Sequence, residues 1–176
     1  SRYLSVANYG SGSIAVFDIR NGAIGSCCQQ RKFEGRGPNQ ERQTGPHSHQ
    51  VFSAEPYIYV PDLGSDTLYR CELSSEGELQ VSSSRTQLPP SSGPRHVDLH
   101  PKLPIIYLIN ELSSTIAVID QRSMEILQLV NALPEEVNTE STTAEIAVSA
   151  DGTCVYGSNR GDDSIVTFAV DDMGLL

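Results

Sequence analysis

The sequence has no tryptophan, two methionines and only four phenylalanines among 176 residues, so its core must rest on valine, isoleucine, leucine and tyrosine. Cations are scarce too. Twelve lysines and arginines stand against 22 aspartates and glutamates, a formal net charge of −10. Such a chain repels nucleic-acid phosphates and anionic membrane surfaces, and neither is expected as a partner. A small anionic ligand is not excluded, because a few local arginines and histidines can outweigh a distant field of opposite sign. No apolar run approaches the roughly 18 residues of a membrane span. The four cysteines, Cys27, Cys28, Cys71 and Cys154, form no C-x-x-C pair and no zinc-ligand spacing. They read as free thiols of a reducing compartment. With no visible signal peptide, a cytoplasmic location is expected.

What the chain does have is one pattern in four copies: YLSVANYGSGSIAVFDI, YIYVPDLGSDTLYRCEL, IIYLINELSSTIAVID and CVYGSNRGDDSIVTFAV. Each copy runs from an apolar strand to an Asn or Asp anchor, then to Ser or Thr five residues on, then to a second apolar strand. The anchors are Asn8, Asp62, Asn110 and Asn159; Ser13, Thr67, Thr115 and Ser164 follow them. Next come Ile14, Leu68, Ile116 and Ile165. The anchors recur at intervals of 54, 48 and 49 residues. A period near 50 built from short strands marks a β-propeller with one blade per repeat. Strands apolar on both faces, such as Ile14–Ile19 and Ile116–Ile119, suit sheets stacked face to face. Gly, Asn and Asp after each anchor predict hairpin turns, with the later Ser or Thr hydrogen-bonded inside them.

The fold class is therefore all-β, a partial propeller over residues 1–176 with repeats near 3–19, 47–73, 95–120 and 145–170. Three stretches read as loops: residues 29–45, 88–93 and 133–143. The first is long, polar and without apolar period, which marks it as functional or mobile. Residues 123–133 read equally as a turn or a strand.

Polar residues precede the strands at related places in successive repeats. His47 lies 15 residues before Asp62, Arg95 lies 15 before Asn110, and Glu145 lies 14 before Asn159. Glu111 and Arg160 directly follow their anchors. Innermost propeller strands converge, so these positions predict a ring of His47, His49, Arg95, His96, Glu111, Glu145 and Arg160. Arginines bind carboxylate or phosphate in bidentate fashion. A histidine can act as general base on water, and a glutamate can orient it or protonate a leaving oxygen. Lactone hydrolysis needs those parts. Each residue also has a structural reading. His47 and His49 form H-x-H, but two ligands are too few for a metal site, and none is expected. Arg95 can form a structural salt bridge, and Glu145 can cap a turn. His100, before Pro101, reads as turn chemistry.

GPHSHQVFS before YVPDLGSDTLY, GPRHVDLHP before YLINELSSTIAV, and AEIAVSADGTCVYGSNRGDDSIVTF together resemble the seven-bladed propeller lactonases. That family includes bacterial 6-phosphogluconolactonases and fungal carboxymuconate lactonising enzymes. The resemblance implies a site of His47, Arg95, Glu111 and Arg160, with His49, His96 and Glu145 contacting substrate, and no cofactor. It implies hydrolysis or reversible closure of a small anionic lactone, 6-phosphogluconolactone first and 3-carboxymuconolactone second. A propeller that binds without catalysis is the alternative. About three and a half blades are expected here, against seven in the family.

Overall fold

A computed structural model describes residues 2–134 and 140–176. Fourteen strands form four antiparallel sheets, and no α-helix occurs among the described residues. The first sheet holds β1 (Tyr3–Asn8), β2 (Ser13–Arg20) and β3 (Ala23–Lys32). The second holds β4 (Phe52–Ala54), β5 (Tyr57–Asp62), β6 (Thr67–Leu73) and β7 (Leu79–Gln87). The third holds β8 (Pro94–Leu99), β9 (Ile105–Asn110), β10 (Thr115–Asp120) and β11 (Ile126–Asn131). The fourth holds β12 (Thr142–Val148), β13 (Cys154–Arg160) and β14 (Ser164–Ala169). In every sheet the spatial order follows the chain order, the meander of a propeller blade. Fourteen strands at four per blade amount to three and a half blades.

The register explains the five-residue spacing. Each anchor pairs with its Ser or Thr: Asn8 with Ser13, Asp62 with Thr67, Asn110 with Thr115, and Asn159 with Ser164. Four residues are left to turn the chain. The last of the four has left-handed backbone in every copy, with φ of 61° at Gly12, 51° at Asp66, 51° at Ser114 and 53° at Asp163. Glycine, aspartate and asparagine tolerate that region best; Ser114 takes it too. The predicted turn hydrogen bonds are present. Asn110 Nδ2 donates to Thr115 Oγ1 at 3.0 Å, Asn159 Nδ2 to Ser164 Oγ at 3.2 Å, and Thr67 Oγ1 to the Ser65 carbonyl at 3.0 Å.

The chain divides into two compact units, Ser1–Pro90 and Ser91–Leu176. In the first, Ile14, Phe33, Ile58, Val60, Tyr69, Cys71 and Leu79 form a buried cluster. In the second, Ile105, Tyr107, Ile109, Ile116, Val118, Ile146 and Val155 do so. All six residues of β9 are buried, as two-sided apolar strands require. Aliphatic side chains and tyrosines fill both buried clusters, with Phe33 and Cys71 the exceptions.

Two expectations need correction. The polar stretch 29–45 is not all loop, because β3 continues through Lys32. Nine of the ten residues of β3 are exposed, so the strand carries no apolar alternation to reveal it. The rest of the stretch is pinned by Gln43, which is fully buried. Its side-chain amide Nε2 donates to the Leu63 carbonyl at 2.8 Å and to Asp66 Oδ1 at 2.7 Å, while Oε1 accepts the Asn39 N–H at 3.2 Å. Residues 123–133 resolve into a turn followed by β11. The loop over 88–93 lies between β7 and β8 as expected. The loop expected over 133–143 is also not all loop, because Thr142 and Thr143 open β12, and residues 135–139 lie outside the described residues. His100 is turn chemistry: its Nδ1 accepts the Lys102 and Leu103 N–H groups at 3.0 and 2.9 Å, and Nε2 donates to the Gly152 carbonyl at 3.2 Å.

Candidate active site

In the second unit, two β-bulges set the polar side chains. Pro94 pairs with Asn110 but His96 with Ile109, so Arg95 falls in the shift. Thr143 pairs with Asn159 but Ile146 with Gly157, so Ala144 and Glu145 fall in the next one. Bulges bend a strand and re-aim its side chains, and they are common beside functional sites. Arg95, His96 and Glu145 thus lie within β8 and β12, not ahead of them. β12 packs against β8, which brings Glu145 to His96. Glu111 is fixed by its own N–H, which donates to the Gly93 carbonyl at 2.7 Å. Arg160 ends β13 opposite Thr142.

The five side chains form one network. Glu111 Oε2 accepts Arg95 Nε at 3.1 Å and Arg160 Nη2 at 3.1 Å. Arg95 Nη1 also donates to the Ala144 carbonyl at 2.9 Å, and Arg160 Nη2 to the Thr143 carbonyl at 3.1 Å. His96 Nδ1 donates to Glu145 Oε1 at 2.8 Å. Side-chain exposure differs sharply: 5% at Glu111, 16% at Arg95 and 50% at Arg160. Burial, and next the Arg160 guanidinium, push Arg95 below the usual arginine range, while Glu111 pulls it back up. Two guanidiniums share this one buried carboxylate, and the Glu145 carboxylate lies within electrostatic reach of Arg95. Charge-assisted hydrogen bonds of this kind hold the donors in a defined orientation. The arrangement can bind an anion and polarise a carbonyl.

His47 and His49 lie in the first unit, before β4. His47 Nδ1 is 2.9 Å from the Tyr9 carbonyl oxygen. A carbonyl only accepts, so Nδ1 carries the proton and the neutral ring keeps its lone pair on Nε2. Backbone pairing also changes the equivalence drawn from counting residues. The N–H of the residue after each anchor donates to the carbonyl of His47 in the second sheet and of Gly93 in the third. Ser48 bridges Asp62 as Pro94 pairs with Asn110. The structural counterpart of Arg95 is therefore His49, two residues beyond the one that equal spacing indicated. Sequence reasoning missed Tyr9, although it directly follows an anchor, as Glu111 and Arg160 do.

The description "Lactonase, 7-bladed beta-propeller" fits residues 1–176 in full. The chain belongs to the seven-bladed β-propeller lactonase family. It is 36% identical to the 6-phosphogluconolactonase of Bacillus subtilis over 177 aligned residues, covering 97% of this chain and 50% of that protein. Among solved structures, a protein from Lactobacillus plantarum superposes with a TM-score of 0.92 at 31% identity. The periplasmic gluconolactonase of Pseudomonas aeruginosa does so at 0.87 and 31%. Each covers 99% of this chain, which matches 52% of the solved one. The chain thus spans about half the length of the relatives it matches. No helix among the described residues is long and apolar enough to cross a membrane.

Proposed function

We propose that the protein carrying this chain is a lactonase that hydrolyses a small anionic lactone, with 6-phosphogluconolactone the first substrate to test and 3-carboxymuconolactone the second. The observation that carries this reading is the single Glu111 oxygen shared by Arg95 and Arg160. Two guanidiniums held in fixed orientation suit a phosphate or carboxylate. In this reading His47 Nε2 takes a proton from water as the water oxygen attacks the lactone carbonyl. The ring C–O bond then breaks, and the proton passes to the departing oxygen. Arg95 and Arg160 bind the anionic group and stabilise the oxyanion. Glu111 orients both guanidiniums, and His49, His96 and Glu145 contact the substrate. The relatives' names support the substrate class, since one is a 6-phosphogluconolactonase and another a gluconolactonase.

The test is hydrolysis of both lactones by the intact gene product and by its His47→Ala variant. The variant is expected to lose about a hundredfold or more in kcat, the range of a positioned general base. An unchanged rate removes His47 from that role. No hydrolysis of either lactone by the unaltered protein favours a binding propeller instead. Activity that survives a strong chelator excludes a metal-dependent reaction.

A further inference from the structure

We propose that Tyr9 is the positioning residue for His47, fixing which ring nitrogen faces the reacting water and holding the imidazole plane. The proposal rests on the lactonase reading for its catalytic consequence, but its geometry stands by itself. Three observations carry it. The Tyr9 carbonyl takes the His47 Nδ1–H at 2.9 Å, which assigns the lone pair to Nε2. The Tyr9 ring stacks on the imidazole, with centroids 4.6 Å apart and planes 15° from parallel, while His49 meets the same ring edge-on at 5.5 Å and 77°. Tyr9 also holds the position after its anchor that Glu111 and Arg160 hold after theirs. The same repeat slot thus serves the polar network in one unit and the histidine pair in the other.

The surrounding backbone is built for this contact. Tyr9–Ser11 is a single 3-10 turn closed by the Gly12 N–H, which donates to the same Tyr9 carbonyl at 3.2 Å. That carbonyl thereby uses both lone pairs. A Cβ on Gly12 would lie 2.2 Å from the Pro46 carbonyl oxygen, and one on Gly64 would lie 1.8 Å from that of Gly45. Two repeat turns therefore approach the His47 segment as closely as bare backbone permits. An imidazole left to itself prefers its proton on Nε2, the nitrogen that must be bare to accept one from water. Holding the other tautomer and restricting ring rotation act on kcat more than on KM, because both matter at the reacting atoms.

The experiment pairs 15N NMR of histidine-labelled intact gene product with lactone kinetics on Tyr9→Phe and Tyr9→Ala. Ring 15N shifts separate the N–H nitrogen from the bare one. His47 is expected as the Nδ1–H tautomer in the unaltered protein and in Tyr9→Phe, which keeps the stacked ring. Tyr9→Ala keeps the main-chain carbonyl and so the Nδ1–H tautomer, but loses the stacked ring, and is expected to lower kcat about tenfold, with KM changed less than about twofold. Thermal melts of both variants show that the fold is retained. An Nε2–H tautomer in the unaltered protein overturns the proposal. So does unchanged kcat in Tyr9→Ala. Full activity in His47→Ala would instead defeat the base assignment, and the tautomer measurement would still decide the geometry.

Discussion

Arg95 and Arg160 grip one carboxylate oxygen but differ in what else they can do. Arg95 is largely sheathed and ties the network to the β12 backbone; Arg160 is half exposed. Glu111 is the joint between them. Glu111→Gln keeps the shape but removes the carboxylate that both guanidiniums share. It is expected to cost about 2 kcal/mol in denaturant unfolding and to raise KM for an anionic lactone by disordering both guanidiniums. Cys71 gives a second residue-scale outcome, in pH. Burial pushes its thiol up to about 12 from 9.0. The unfolded chain therefore loses this proton first. Stability from Cys71 is fully present below pH 9 and declines as pH rises from 9 toward 12. The slope is about 1.4 kcal/mol per pH unit for one group. Urea melts at pH 8, 9 and 10 should show it, and Cys71→Ala should flatten it. The same residue should resist thiol reagents that label the exposed Cys27 and Cys28.

At the scale of elements, the hairpins were the most legible part of the sequence. An Asn or Asp five residues before Ser or Thr states the register outright, since those residues pair across a four-residue turn. The bulges were not legible. Arg95 and Glu145 were placed by counting residues, and counting assumes that every inner strand has the same extra residue. The second sheet replaces that strand with an isolated Ser48–Asp62 bridge and the short β4, so the count matched His47 where pairing matches His49. The residue types of the site were visible in the sequence; which of them share a network depended on those shifts. β3 escaped notice for a different reason, because an exposed outer strand needs no apolar face. Gly64 offers an element-scale test. Its turn lies against Gly45 and His47, leaving no room for a Cβ. Gly64→Ala should displace the His47 segment and cost about 2 kcal/mol or more in urea melts. It should also reduce lactone hydrolysis in the intact gene product more than its loss of stability explains.

At the scale of the whole molecule, the four copies are alike in sequence but unequal in burial. Ile14, Leu68 and Ile116 are 0% exposed, whereas Ile165 at the same repeat position is 65% exposed. The strand that carries it, β14, is an edge of its sheet, whereas β6 and β10 are interior. Ile116→Ala in the 176-residue chain should therefore cost about 2–5 kcal/mol, and Ile165→Ala less than about 0.5 kcal/mol, both read from denaturant midpoints. Equal costs would contradict this account. The charge distribution is equally uneven. The chain carries −10 overall, yet the network around Glu111 presents a half-exposed cation, Arg160. Opening a lactone creates a new carboxylate, so the ligand leaves with one more negative charge than it brought. On the lactonase reading, the local charge that gathers the substrate then retains the product. Inhibition by the hydroxy-acid product is then predicted to weaken as added salt screens Arg160.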